Sequence, residues 1–367
     1  MKITRITAWE VPLTSHETYF MAGGKTCGTT LSVVLRLDTD TGLSGWGEVC
    51  PIPHYLPAYA KGVIPALEDM APVLIGADPI GPEALMERLN RHLIGHGYAK
   101  SAIDTALWDL TAQSAGLPLY TLLGGRAVAD MPLYHSITCA APGEMARMAR
   151  EAYDLGMRQF QVKLGADGDW QADVARLAQV REAVGAGPLV YGDWNCGADA
   201  LTATRAGRAA AHLDIMLEQP CATIEECAHV RAATGLPMKL DESVHGIHSI
   251  MAGHRAGCMD AAALKLSKMG GLSATRRTRD LCLALGTQMC IEDTWGSDIT
   301  TAALLHLAAS TPARGIMNTC DLSHYAGPRL DPNAPERRNG RIAPPEGPGL
   351  GVSPDTGALG QPKSIIG

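Results

Sequence analysis

The stretch "PLVYGDWNCG", residues 188–197, holds an apolar run, Leu189–Val190–Tyr191, that ends on Asp193. Aliphatic, β-branched and aromatic residues over a few positions read as a strand, and a buried strand that ends in a carboxylate needs a reason. The pattern recurs. "HLDIMLEQP" ends its apolar run at Glu218, and "LPMKLDES" ends at Asp241. Glu218 follows Asp193 by 25 positions and Asp241 follows Glu218 by 23, a spacing that fits one strand plus one helix.

Outward from these three runs the same alternation continues. Strands are expected over 131–138, 158–163, 188–193, 214–218, 237–241, 260–265, 287–291 and 313–318. Ala/Arg-rich amphipathic helices are expected between them, over 142–155, 169–184, 199–212, 223–234, 246–256, 271–285 and 297–309. Alternation of this kind means a parallel sheet, and eight units close into a barrel more readily than they form an open sheet. In such a barrel the C-terminal strand ends converge on one mouth. Asp193, Glu218 and Asp241 end strands three, four and five, so they become neighbours. Any one of them alone reads as readily as a helix cap. Three together repel one another unless a cation neutralises them, and an all-oxygen set favours a hard cation such as Mg²⁺.

Two lysines fall in equivalent places. Lys163 ends strand two in "RQFQVKLG" and Lys265 ends strand six in "AAALKLSKMGG". A lysine buried there is expected to have a depressed pKa, which suits a general base near neutral pH. Lys268, one helical step further, is expected to face outward, and Gly270–Gly271 is only a weak signal for a phosphate cradle.

The flanks differ in texture. Residues 1–50 read as strands, with "LSVVLRLDTDTGLSGWGEV" a hairpin, and the pattern turns helical from Ile64 to Gln113. The Pro/Gly-rich tail from Gly327 has few element signals and is expected to return over the first domain. The expected divisions are 1–126, 127–326 and 327–367. A formal net charge of −7 with no Lys/Arg block argues against nucleic acid. No apolar run approaches the roughly 18 residues that cross a bilayer. Ten cysteines without a C-x-x-C pair read as reduced core thiols, which places the protein in the cytoplasm.

Motifs across the chain resemble the enolase superfamily, in its muconate-lactonizing-enzyme-like branch. They are "GLSGWGE" (42–48), "AIDTALWDL" (102–110), "GLPLYTLLGG" (116–125), "LEQP", "LDES", "LKLSKMGG" and "GPGLGV" (347–352). The resemblance implies a modified (β/α)₈ barrel under an N-terminal α+β capping domain completed by the C-terminal tail. It also implies Mg²⁺, or Mn²⁺, on Asp193, Glu218 and Asp241, Asn195 as a polar support, and Lys163 and Lys265 as paired bases. The implied chemistry is removal of the α-proton of a small carboxylate through an enediolate, in a homo-oligomeric enzyme. Strand two departs from the family's frequent K-x-K, having Gln161 first. Strand seven ends "MCIEDTWG", without the histidine of the mandelate racemase branch.

Within the branch the chain resembles members acting on hydroxyproline derivatives. The expected reaction is dehydration of cis-3-hydroxy-L-proline to Δ¹-pyrroline-2-carboxylate. Epimerisation at C2 of a proline betaine or another amino-acid derivative is the alternative, and a non-catalytic metal-binding barrel is a remote third. Glu292 and Asp293 are expected to pair with a substrate ammonium, and Tyr19 and Tyr55 to form a specificity lid. Met317, Asn318, Thr319 and Cys320 place no aromatic on the eighth strand to face a quaternary nitrogen. A secondary amine is therefore preferred over a betaine.

Overall fold

The computed structural model describes residues 1–53 and 57–367. The N-terminal runs form the long antiparallel strands β1 (Ile3–Phe20), β2 (Thr26–Thr39) and β3 (Ser44–Val49). Three helices follow, α1 (Val63–Leu74), α2 (Pro82–His92) and α3 (Gly97–Ser114). Helix α3 lies directly on β3, and a Cβ built at Gly45 or Gly47 would overlap the carbonyls of Ala106 and Ala102. The glycines of "GLSGWGE" permit that approach. After the short helix α4 (Leu119–Leu122) the chain enters the barrel.

The expected first barrel strand, 131–138, divides in two. β4 (Met131–Pro132) leaves the barrel to pair with a tail strand, while β5 (His135–Ile137) begins the parallel sheet. The sheet continues through β6 (Gln159–Lys163), β7 (Leu189–Asp193), β8 (Met216–Glu218) and β9 (Met238–Leu240). It ends with β10 (Ala261–Lys265), β11 (Gln288–Glu292) and β12 (Ile316–Thr319), all neighbours in chain order. A parallel bridge from Leu133 to Thr319 joins the last strand to the first, which closes the barrel.

The intervening helices are α5 (Pro142–Asp154), α6 (Trp170–Val184), α7 (Ala200–Ala210), α8 (Ile224–Thr234) and α9 (Ile247–Arg255). A short α10 (Leu266–Met269) precedes α11 (Leu272–Leu285), and α12 (Asp298–Ala309) comes last. Their starts follow the sequence closely: Asp169 and Asp199 cap α6 and α7, and Thr223 with Glu226 forms a capping box on α8. No helix follows β12, only a 3₁₀ turn at Leu322–His324, so the barrel is modified at its eighth unit. The tail then returns as β13 (Ala326–Gly327) and β15 (Ser364–Ile366) on β1, with β14 (Arg341–Ile342) on β4.

Buried capping-domain carboxylates join the two parts. Glu48 accepts from the backbone N–H and hydroxyl of both Ser297 and Thr300, which satisfies the N-terminus of α12. Asp104 accepts from Ser273 N and Oγ at the start of α11, so the Gly270–Gly271 turn serves a protein carboxylate rather than a phosphate. Asp109 accepts from Trp46 N and Leu350 N.

Glu48→Ala should strand these donors and cost about 2–3 kcal/mol in chemical denaturation. Burial raises Asp104 and Asp109 from 3.8 to about 6, with hydrogen bonds opposing the shift. The native state therefore keeps these protons longer than the unfolded chain. Their contribution to stability is full below about pH 4 and is lost as pH rises through about 6. Asp104→Asn should flatten that slope in a pH series of melting curves.

Candidate active site

Parallel register gathers the strand-end side chains. Lys163 stands beside Asp193, Asp193 beside Glu218, Glu218 beside Lys239, and Lys265 beside Glu292. Asp241 lies one residue beyond β9. Each of the three expected acids is met by lysine. Lys163 Nζ is 2.6 Å from Asp193 Oδ2 and Lys239 Nζ is 2.8 Å from Glu218 Oε1. Lys265 Nζ is 2.6 Å from Asp241 Oδ2, and Lys268 Nζ is 3.1 Å from Oδ1 of the same residue. Lys268 thus turns inward, against expectation, and its side chain is only 2% exposed. The short helix α10 directs it back over Asp241.

Polar neighbours fix the acids further. Asn195 N and Nδ2 donate to Asp193 at 2.9 and 3.1 Å, and Nδ2 also reaches Glu242 Oε1 at 3.0 Å. Gln161 Nε2 donates to Glu218 Oε2 at 2.9 Å, while its Oε1 accepts from Ser136 Oγ. Gln161 lines the pocket, but both ends of its amide are engaged by protein groups. Gln219 Oε1 accepts from Asp241 N and Ser243, tying β8 to the turn after β9.

The charges decide what the site can hold. Asp193, Glu218, Asp241, Glu242, Glu292 and Asp293 face Lys163, Lys239, Lys265 and Lys268, so two negative charges would be unbalanced with every group ionised, and burial raises Glu218, Glu242 and Asp293 accordingly. Glu218 Oε1, Asn195 Oδ1 and Glu242 Oε2 are buried without a hydrogen-bond donor; Lys239 is near Glu218 Oε1 but out of line for one. Surplus negative charge and undonated oxygens fit a hard divalent cation. Among the described residues no three acidic, histidine or cysteine side chains form a closed cage, and each of the three carboxylates is paired with a lysine.

Burial pushes Glu218 up to about 8, with Lys239 opposing and Asp193 reinforcing the shift. Burial acts on Asp241 too, but Lys265 and Lys268 hold it well below the usual carboxylate range. For Lys265, burial favours the neutral amine, yet Asp241, Glu292 and Glu242 together raise its pKa well above the ordinary value. This reverses the depressed pKa expected from the strand-end position, because the acids around it outweigh desolvation.

Lys163 and Lys265 face one small cavity of about 60 Å³, together with Asp241, Glu292 and Asp293. Glu292 accepts from Tyr134 Oη at 2.7 Å, and it stays ionised because Lys239 and Lys265 outweigh its burial. Asp293 is pushed up to about 6 by burial and has its oxygens engaged by Ser267 and by Thr294 N. Tyr19 lines the cavity from the capping domain; Tyr55 lies outside the described residues.

The eighth strand carries no aromatic, as expected, but aromatic side chains reach the cavity from other segments. Trp295 and Tyr325 line the cavity and stand 5.9 and 6.1 Å from the Tyr19 ring. They come from the loop after β11 and the turn after β12, where strand-end reasoning does not look. Lys239 had a legible signal. Alternation places it on the same side as Asp241, just as Gln161 shares a side with Lys163.

No helix among the described residues is long and apolar enough to cross a membrane. Residues 4–124 match the mandelate racemase / muconate lactonizing enzyme N-terminal domain, and 144–358 match the enolase C-terminal domain-like family. The chain is 41% identical over 364 residues to cis-3-hydroxy-L-proline dehydratase of Roseibium aggregatum, covering 99% of each. It is 28% identical to the N-succinyl-L-Arg/Lys racemase of Bacillus cereus, covering 84% of this chain and 85% of the racemase. A solved mandelate racemase/muconate lactonizing enzyme-type structure from Roseovarius nubinhibens, complexed with magnesium, superposes with a TM-score of 0.94 at 34% identity, over 100% of both chains. With both domains matched, the chain belongs to the mandelate racemase / muconate lactonizing enzyme family of the enolase superfamily.

Proposed function

We propose that this protein is a magnesium-dependent hydro-lyase that dehydrates cis-3-hydroxy-L-proline to Δ¹-pyrroline-2-carboxylate. The observation that carries the reading is the placement of Lys163 and Lys265 on β6 and β10, four strands apart in a closed barrel of eight, facing one small cavity. Asp193, Glu218 and Asp241 are the residues to hold the cation, with Asn195 orienting Asp193; manganese, another hard cation, satisfies the same oxygens. Bound there, the metal supplies positive charge that attracts a substrate carboxylate and makes the adjacent C–H more acidic.

The lysines do the proton work from opposite sides. One takes the α-proton, and the C–H electron pair becomes the Cα–Cβ double bond as the β-hydroxyl departs. The other lysine gives that hydroxyl a proton, so it leaves as water. The resulting enamine tautomerises to the cyclic imine. Asp241 and Glu292 hold Lys265 protonated, and a cation held by Asp241 would offset that carboxylate's charge and lower the lysine's pKa toward that of a base. Glu292, ionised and at the cavity wall, is the partner for the ring ammonium; Asp293 supports the loop through Ser267. The similarity to the Roseibium aggregatum dehydratase supports the choice of substrate. The free thiols, nine of ten buried, fit a reducing cytoplasm, and the family resemblance supports a homo-oligomer.

One observation favours a second reading. The Tyr19–Trp295–Tyr325 wall offers cation–π contacts to a quaternary nitrogen, so epimerisation at C2 of a proline betaine uses the same lysines.

Asp193→Asn should abolish turnover and the magnesium-dependent rise in Tm together; unchanged magnesium affinity would sink the ligand assignment. Lys163→Ala and Lys265→Ala should each lower kcat by about 10²–10⁴-fold, and α-proton exchange in D₂O should separate the lysine that takes the proton from the one that assists departure. Equal, mild losses would mean that neither is a base. For substrate, kcat/KM for cis-3-hydroxy-L-proline should exceed that for proline betaine and 4-hydroxyproline betaine. Faster turnover of a betaine would select the second reading.

A further inference from the structure

The turn "MAGGK", residues 21–25, takes no part in the proton chemistry, yet it fastens the capping arm to the barrel. Gly23 and Gly24 have φ of 68° and 72° with open space around a built Cβ, so they are glycines for conformation. Gly197 is a glycine for space. Its backbone is not left-handed, but a Cβ there would overlap the Ala22 methyl. At Gly165 a Cβ would stand 3.1 Å from the same methyl. Gly165 and Gly197 follow β6 and β7, the strands that end in Lys163 and Asp193, and Ala22 is fully buried between them.

The arm is tied down on both sides of this plug. Phe20 N donates to Thr138 Oγ1 at 2.7 Å, and Cys139 N donates to Phe20 O at 3.1 Å. Lys25 Nζ donates to the carbonyl of Asn195 at 3.4 Å, and Asn195 donates in turn to both oxygens of Asp193. The arm's own residues Tyr19, Met21 and Cys27 are cavity walls.

We infer that Ala22 is a positioning residue whose seating between Gly165 and Gly197 couples the closed arm to the cation-holding carboxylates. The coupling half rests on the magnesium reading above; the seating half does not. A methyl fills the socket, and a branched side chain has no room in it. With the arm unseated, Lys25 leaves Asn195, and Asp193 loses part of its support.

The test compares the full-length chain with Ala22→Leu, Ala22→Gly and Lys25→Met. Trypsin cleavage after Lys25, read by fragment mass, should be several-fold faster in A22L and faster to a smaller degree in A22G, which leaves the socket unfilled. Magnesium affinity, measured by calorimetry without substrate, should weaken by about fivefold in A22L. K25M should show the same weakening with an unchanged Tm in the absence of magnesium, which a loss of folding stability would not produce. Should A22L fail to fold, Ala22→Val and K25M carry the comparison. Unchanged cleavage in the enlarged variants overturns the seating, and unchanged magnesium affinity in them and in K25M overturns the coupling. Absence of magnesium binding in the unaltered chain would instead remove the cation reading, and cleavage alone would then decide the seating.

Discussion

Like charges packed at one end of a low-dielectric barrel repel strongly: two unit charges about 4 Å apart interact by about 4 kcal/mol at an effective dielectric of 20. Six carboxyl groups are tolerated at this mouth because four lysines stand among them and because burial keeps Glu218, Glu242 and Asp293 protonated to higher pH than free carboxyls. The ion pairs are therefore reciprocal constraints. Removing one member leaves a buried charge with its desolvation cost and no compensation, which is a larger loss than the pair's own net worth. Register carries the burden of arranging this, since a one-residue slip in any strand would turn its charged end away from the mouth.

The charged ends stand on a second layer, two residues earlier on each strand. Gln161, Tyr191, Lys239 and Cys290 occupy it, under Lys163, Asp193, Asp241 and Glu292. Lys239 is the unusual member, a fully enclosed ammonium beside Glu218 and over the Tyr191 and Tyr134 rings. Outside the barrel, capping-domain acids follow the same rule of satisfied charge. Glu48 and Asp104 accept from helix N-termini that would otherwise leave backbone donors unpaired. These joints hold the arm over the mouth, so the wall formed by Tyr19 depends on hydrogen bonds far from the chemistry.

The cavity makes two different offers to a substrate nitrogen. Glu292 favours an ammonium that can donate a hydrogen bond. The three aromatic rings favour a cation that cannot. Both surround the same lysine pair, so under the proposed function proton removal would be common to the lyase and epimerase readings, and the nitrogen's surroundings with the fate of the β-substituent would decide between them.

Much was determined by the sequence itself. Strand and helix periodicity are local, so eight alternating units, the barrel, and the strand-end positions of Lys163, Asp193, Glu218, Asp241, Lys265 and Glu292 could be read directly. The split of the first strand at Pro132 and the inward turn of Lys268 could not, because the tail strand β14 and the short helix α10 decide them. Nor could the sign of the Lys265 shift. Burial and neighbouring acids act in opposite directions, and only three-dimensional distances say which prevails. The aromatic wall was equally hidden. Tyr19 lies near the end of β1, whereas Trp295 and Tyr325 come from the turns after β11 and β12, and no local pattern marks side chains that meet only across the boundary between capping domain and barrel.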